Sequence, residues 1–298
     1  MLAEEYPIAP NVVTPDAAPH RTRILAPWLT GEVALYVGLG LSALALRAAG
    51  LATRPMDAPE ASQTLAAWQP WAGPATHSPL LFFGNLITFA LFAGSEAWAR
   101  VWPALFGTAL ALAPVLFRRW LGRMGVLIAV AFLALSPTAL YYSRYASGDV
   151  IVAAGSLYAL AGVLHFVRTH QVRHAVLAVV ALALMVTAGP SAYAVILIAL
   201  SFVALLALGS RSGYTRSGWE RLVAGWQAMN ADPGLPGRLT LLFAALVVLI
   251  GTALLLYFAA FQSVVDLFSV WVGQIAPAAG GAPWYYHFQL LLFYELRK

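Results

Sequence analysis

Three short stretches of this sequence concentrate side chains that can move a proton or hold a phosphate. The first carries Arg54, Asp57, Glu60 and His77; the second carries Ser143, Arg144, Tyr145 and Asp149. The third brings Asp266, Gln274 and, after a glycine-rich turn, Trp284, Tyr285, Tyr286 and His287. Carboxylates such as Asp57, Glu60 and Asp149 can deprotonate an acceptor hydroxyl beside a membrane. Arginines such as Arg54 and Arg144 can grip a lipid phosphate through two parallel N–H bonds. The same residues also read as ordinary loop charges, solvated or paired with headgroups. Arg144 and Asp149, about one helical turn apart, fit a local ion pair as well as a phosphate clamp. His77, just before Pro79, reads more as a helix-entry residue than as a ligand, and Arg100 reads equally as a side chain snorkelling to the interface. The six histidines form no H-E-x-x-H motif, so no dedicated metal site is expected.

The elements that must position these residues are membrane helices. Of 298 residues, 61% are hydrophobic and only 10% charged, with a mean hydropathy of +0.78. A soluble domain carries about 25% charged residues, so this chain lacks the polar surface to stay in water. Apolar runs of about 18–25 residues recur, the length that crosses a bilayer core of about 30 Å. The absence of cysteine excludes disulfides, thiolate nucleophiles and cysteine-ligated metal centres. The net charge of +5 comes from short basic clusters between apolar runs, which set topology rather than bind nucleic acid.

Residues 1–26 are polar and proline-rich and read as a flexible cytoplasmic tail. The first span is expected at about Trp28–Leu51. An outer juxtamembrane segment, 52–95, follows; within it Pro79–Ala93 has the length of a helix lying at the interface. Further spans are expected at Ala97–Phe117, Met124–Tyr141, Val150–Val167, Ala175–Gly189, Pro190–Gly209 and Leu239–Phe261, with Gln262–Pro283 as an outer loop. The run Trp284–Leu296 would begin a partial eighth as the chain ends. The cytoplasmic loop 210–238 has an amphipathic middle, Trp219–Met229, that suits lying on the inner leaflet. The fold class is thus all-α and polytopic, with about seven full spans and two outer juxtamembrane helices. With the N-terminus cytoplasmic, all of the seventeen Lys and Arg residues except Arg47, Arg54, Arg100 and Arg144 fall on the inner side, as the positive-inside rule asks. Trp28, Trp68, Trp71, Trp98, Trp102, Trp271 and Trp284 read as an aromatic belt. Gly38-Leu39-Gly40 and Gly84 read as close helix packing.

Several strings, in order, resemble the GT-C membrane glycosyltransferases, in the group of protein O-mannosyltransferases and aminoarabinose transferases. The prokaryotic branch labelled flippase-activity-associated protein is the nearest in pattern. Arg54-Pro55-Met56-Asp57-Ala58-Pro59-Glu60-Ala61 sits where that family has R-P-L-H-H-D-E-A, and His77-Ser78-Pro79-Leu80-Leu81 is similar to its H-G-P-[FL]-L. Ala97 to Gly107 resembles A-x-A-R-L-x-P-A-L-F-G, and Arg118-Arg119-Trp120-Leu121-Gly122 matches R-R-W-L-G. Ser136-Pro137, Tyr141-Tyr142-Ser143-Arg144-Tyr145 and Asp149 resemble S-P-x-x-x-Y-Y-S-R-F-x-x-x-D, and Pro283-Trp284-Tyr285-Tyr286 with Tyr294-Glu295 resembles P-W-Y-Y and Y-E.

The resemblance implies a prokaryotic plasma-membrane protein that transfers a sugar from a polyprenyl-phosphate donor at the outer face. It implies Asp57, Glu60 and Asp149 as the catalytic acids, and Arg54, Arg144 and His77 around the lipid phosphate. It also leaves room for a divalent metal. Two positions depart from the pattern: Pro59 stands where the family has its catalytic Asp, and Ala188 where Thr187-Ala188-Gly189-Pro190 would carry a Lys. Two functional classes therefore stay open. One is a transferase whose partners are membrane lipids and a polyprenyl-phosphate lipid. The other is a catalytically silent accessory subunit whose partners are other membrane proteins.

Overall fold

The computed structural model describes residues 31–72, 78–211 and 215–275, and every regular element among them is helical. Helix α1 (Gly31–Ala48) has Glu32 in its first turn and Arg47 in its last, each complementing the helix dipole. Helix α2 (Ala58–Trp68) starts at Asp57, whose side chain accepts the Glu60 N–H, with Pro59 in the first turn. Ser78 and Ser95 cap α3 (Pro79–Phe92) and the single turn α4 (Glu96–Ala99) in the same way. Helix α5 (Val101–Leu112) tightens into a 3-10 turn to Phe117 before α6 (Arg118–Leu135).

Gly122 adopts φ 69°, which breaks α6 near its start and suits a residue without Cβ. The break turns the chain back. Arg100, at the head of α5, and the Ala134 carbonyl, near the end of α6, both lie at the end of the bundle where Arg47 sits. The span expected over Met124–Tyr141 is interrupted, because Ser136 precedes Pro137 and takes an extended ψ of 121°. A separate short helix, α7 (Pro137–Ser143), carries the chain on to the arginine site.

Helices α8 (Asp149–Thr169) and α9 (Val172–Ala188) form the central antiparallel pair, joined at His170 in the left-handed conformation. A Cβ on Gly155 would lie 3.0 Å from the Met185 Cβ, and one on Gly162 only 2.6 Å from the Ala178 nitrogen. Small residues thus let the two backbones meet, as membrane helices require. The largest core cluster joins Val150, Ile151 and Val152 to Leu80, Met185, Ala188, Ala192 and Ile250. Gly84 admits the Trp102 ring and Gly40 the Leu112 side chain, whereas nothing approaches Gly38.

Helix α10 (Ser191–Arg211) turns Leu197, Ile198, Leu200, Phe202, Leu205 and Leu208 outward, a surface suited to lipid. Helix α11 (Arg216–Asn230) meets α12 (Leu235–Gly251) at 90°. Part of its surface packs inward, while Trp226 stays exposed. Gly225 is seated on Val167, and Met229 joins Phe166, Ala175, Leu235 and Leu239, so the helix closes the end of the bundle.

Ala253, Leu254 and Leu255 then run in the left-handed region in succession, a conformation that costs about 1–2 kcal/mol per residue. Hydrogen bonds from Leu254 N to Leu249 O (2.7 Å) and Leu255 N to Thr252 Oγ1 (3.0 Å) hold this turn. Where an outer loop was expected, Phe261–Ile275 is a helix, α13.

By length and composition, five helical stretches can cross a membrane: Gly31–Ala48, Glu96–Leu135, Asp149–Thr169, Ser191–Arg211 and Phe258–Ile275. The bent α11–α12 pair would make a sixth. The protein is therefore an all-α, multi-span membrane protein. The expected tail over residues 1–26, His77 and the run Trp284–Leu296 lie outside the described residues.

Candidate functional site: an arginine cage around Glu60

The site forms where α1, α2, α5 and α7 meet. Glu60, in the first turn of α2, is fully buried. A buried carboxylate persists only when its oxygens are matched by donors, and here four converge on it. Oε1 accepts the Ala146 N–H at 2.7 Å and Arg100 Nε at 3.2 Å; Oε2 accepts Arg100 Nη2 at 2.9 Å and Arg54 Nη2 at 2.6 Å. Arg100, 1% exposed, also donates from Nη1 to the carbonyls of Leu51 (2.6 Å) and Arg54 (2.8 Å). The snorkelling expected of Arg100 is thus replaced by an inward fork, because the carboxylate and two carbonyls offer more than headgroups would. One guanidinium ties the 51–54 loop and α2 to the head of α5.

Arg54 is shared differently. Its guanidinium lies 5.1 Å and 5.2 Å from the Tyr141 and Tyr145 ring centres, and Nη1 donates to the Tyr141 hydroxyl at 3.0 Å. Asp57, exposed at the head of α2, accepts the Glu60 N–H (3.1 Å) and the Tyr145 hydroxyl (3.2 Å), both on Oδ1. Burial, reinforced by the bond to Asp57, pushes the Tyr145 hydroxyl up to about 12. A pKa raised above its usual value of about 10 means the bond is complete below pH 10 and is lost as pH rises through 12. A Tyr145→Phe variant should therefore lose a phenol that ionises near pH 12 from the ultraviolet titration of the protein. Loss of a phenol in the ordinary range near pH 10 instead would show that Tyr145 is not held by Asp57.

Arg144 ends α7. Its Nη2 donates to the Leu46 carbonyl, while its Nε is buried and finds no partner among the described residues. The expected ion pair with Asp149 is not formed. Asp149 opens α8 and accepts the hydroxyls of Ser147 and Ser191, each at 3.2 Å. Two cavities flank the cage. One, of about 300 Å³, is walled by Arg54, Arg100 and Arg144 together with Tyr141, Leu51 and Leu140. The other, of about 190 Å³, lies beyond Tyr145 and is walled by Gln63, Asp149, Gly189 and Gln274.

Of the residues singled out from sequence, Arg54, Asp57, Glu60 and Arg144 come together, and Asp149 sits at the second cavity. His77 lies outside the described residues. Sequence reasoning gave Arg47 and Arg100 no part in a site. The signal was present: the four arginines that break the inside bias are those that assemble here.

Among the described residues no three His, Asp or Glu side chains converge as metal ligands. Glu60 is already filled by cationic donors, so the cage does not fit a divalent ion. At the opposite end of the bundle Glu32 pairs with Arg118 (2.7 Å) and Arg123 (3.3 Å). There His165 stacks on His174. His170 and His174 are four residues apart, but the α8–α9 break falls between them.

Comparison with protein-family models, curated proteins and solved structures returns no match to this chain. The fold and the site define a polytopic helical membrane protein with an arginine-lined cavity at one end of its bundle.

Proposed function

We propose that this chain is a GT-C-like protein that handles a polyprenyl-phosphate-linked sugar at the outer face of a prokaryotic plasma membrane. The observation that carries the reading is the buried Nε of Arg144, without a partner among the described residues, beside a cavity walled by three arginines. An orphaned donor of this kind calls for an acceptor, and an excess of guanidinium groups over carboxylates calls for an anionic one. The cavity also has Leu51, Leu140 and Tyr141 in its wall, so a phosphate with an apolar tail suits it better than a free ion. The charge bias of the sequence supports placing this end outside, with α5 and α6 as separate passes and about seven in all.

In this reading Arg54 and Arg144 hold the phosphate, and Arg100 holds Glu60. Glu60 is bound on both oxygens and orders the cage rather than taking a proton. The carboxylates left to receive one are Asp57, bonded to Tyr145 in the wall of the second cavity, and Asp149, in that wall itself. An acceptor hydroxyl there would attack the anomeric carbon, its proton passing to the carboxylate. The sugar–phosphate C–O bond breaks, and polyprenyl phosphate leaves toward the arginines.

A second reading, an accessory subunit without catalysis, is favoured by the saturation of Glu60 and by Pro59 and Ala188 at the two departures. Native mass spectrometry of the protein released gently from its own membrane separates the two. A polyprenyl-phosphate or phosphosugar adduct on the isolated chain is the expected result. A stable complex with other membrane subunits and no such lipid would replace the first reading with the second.

A further inference from the structure

Arg47 is the feature that the proposed site does not use. It lies in the last turn of α1, is 0% exposed, and meets no carboxylate among the described residues. Its donors go instead to Ser143 Oγ (Nε, 3.1 Å), Ala43 O (Nη1, 3.1 Å), Ala134 O (Nη1, 3.4 Å) and Leu133 O (Nη2, 3.0 Å). A charge wholly out of water and neutralised only by carbonyl and hydroxyl dipoles is costly, and membrane proteins retain such groups for function.

Its neighbour explains the placement. Arg47 bonds the side chain of Ser143, the residue before Arg144, while Arg144 bonds the carbonyl of Leu46, the residue before Arg47. The two dipeptides clasp each other reciprocally, α1 to α7. Gly107 makes the room: a Cβ there would lie 2.0 Å from Ser143 Oγ and 3.1 Å from Arg47 Nε. The clasp brings two uncompensated cations side by side, an arrangement that repels itself until an anion arrives.

We infer that Arg47 is a positioning residue for the anion site: it fixes Arg144 through Ser143 and adds a buried positive charge behind the cavity. This rests on the phosphate reading above. Arg47 does not wall the cavity and does not touch the lipid.

The test measures binding of undecaprenyl phosphate to the full chain in nanodiscs, with uncharged undecaprenol as control. The wild-type protein should bind the phosphate and favour it over the alcohol. Arg47→Met should weaken phosphate binding on the order of tenfold and leave undecaprenol binding unchanged. Arg47→Lys, which keeps the charge and loses the fork, should fall between them. Phosphate binding by a folded Arg47→Met protein that equals wild type overturns the inference while the phosphate reading stands. No preference for the phosphate in the wild-type protein removes both. If Arg47→Met does not fold, Ser143→Ala decides: weaker phosphate binding supports the clasp, and binding equal to wild type overturns it.

Discussion

Glu60→Gln should be the most destabilising conservative substitution in the described chain, with a loss of about 3–5 kcal/mol. The amide is nearly the same size, but it carries no charge and offers one acceptor oxygen where the carboxylate offers two. Arg100 would then hold a full charge at 1% exposure with no counter-ion, and Arg54 would lose its 2.6 Å partner. The Ala146 N–H, which ties the loop before α8 to the cage, would compete for the single remaining oxygen. Thermal unfolding in nanodiscs measures the loss. Asp57→Asn is the matched control, because asparagine caps a helix about as well as aspartate and Asp57 is exposed. If Glu60→Gln melts within a degree or two of the control, the cage is not closed around Glu60. Replacing Glu60 and Arg100 together by leucine should recover only part of the loss, since the carbonyls of Leu51 and Arg54 would lose their donor.

Arg144→Met should leave the fold nearly intact and cut affinity for undecaprenyl phosphate roughly 10- to 150-fold, the value of a hydrogen bond to a charged group. The side chain is only half-buried and makes one bond, to the Leu46 carbonyl, so little stability depends on it. What it offers a ligand is a fork with an unused, buried Nε. Arg144→Lys restores the charge without the fork and should recover part of the affinity. Full affinity in Arg144→Met, measured by the same nanodisc binding, would place the phosphate elsewhere.

The helices were legible because each carries its own signal. Apolar length marked α1, α8, α10 and the short α3, whereas the start of α2 at Asp57 with Pro59 is a cap signal that apolar length does not register. Some breaks were legible in principle: Ser136 before Pro137 is a local rule that a window of mean hydropathy averages away. Helix α13 was missed because Asp266 and Gln274 made a polar-looking segment of what is an amphipathic helix. The site divides along the same line. Asp57, Glu60, Arg54 and Arg144 stand out as polar residues between apolar runs. The partner that closes on Glu60 lies 40 residues away, and nothing local to Arg100 distinguishes an inward fork from a snorkelling side chain. The four arginines on the minority side of the charge bias were the one long-range clue.

The reciprocal clasp between α1 and α7 also fixes an order of events during synthesis. Leu133, Ala134 and Ser143, which satisfy Arg47, lie 86–96 residues further along the chain. At about 5–20 residues per second they are made roughly 4–20 s after Arg47. Through that interval Arg47 has only the Ala43 carbonyl of its own helix as a partner, and a guanidinium in the last turn of a span can reach the headgroups. The seat of Arg47 is thus complete only after α6 and α7 have been made. The arginine site can therefore close once Arg144 and Ala146 have been made, with α8 to α13 still to follow.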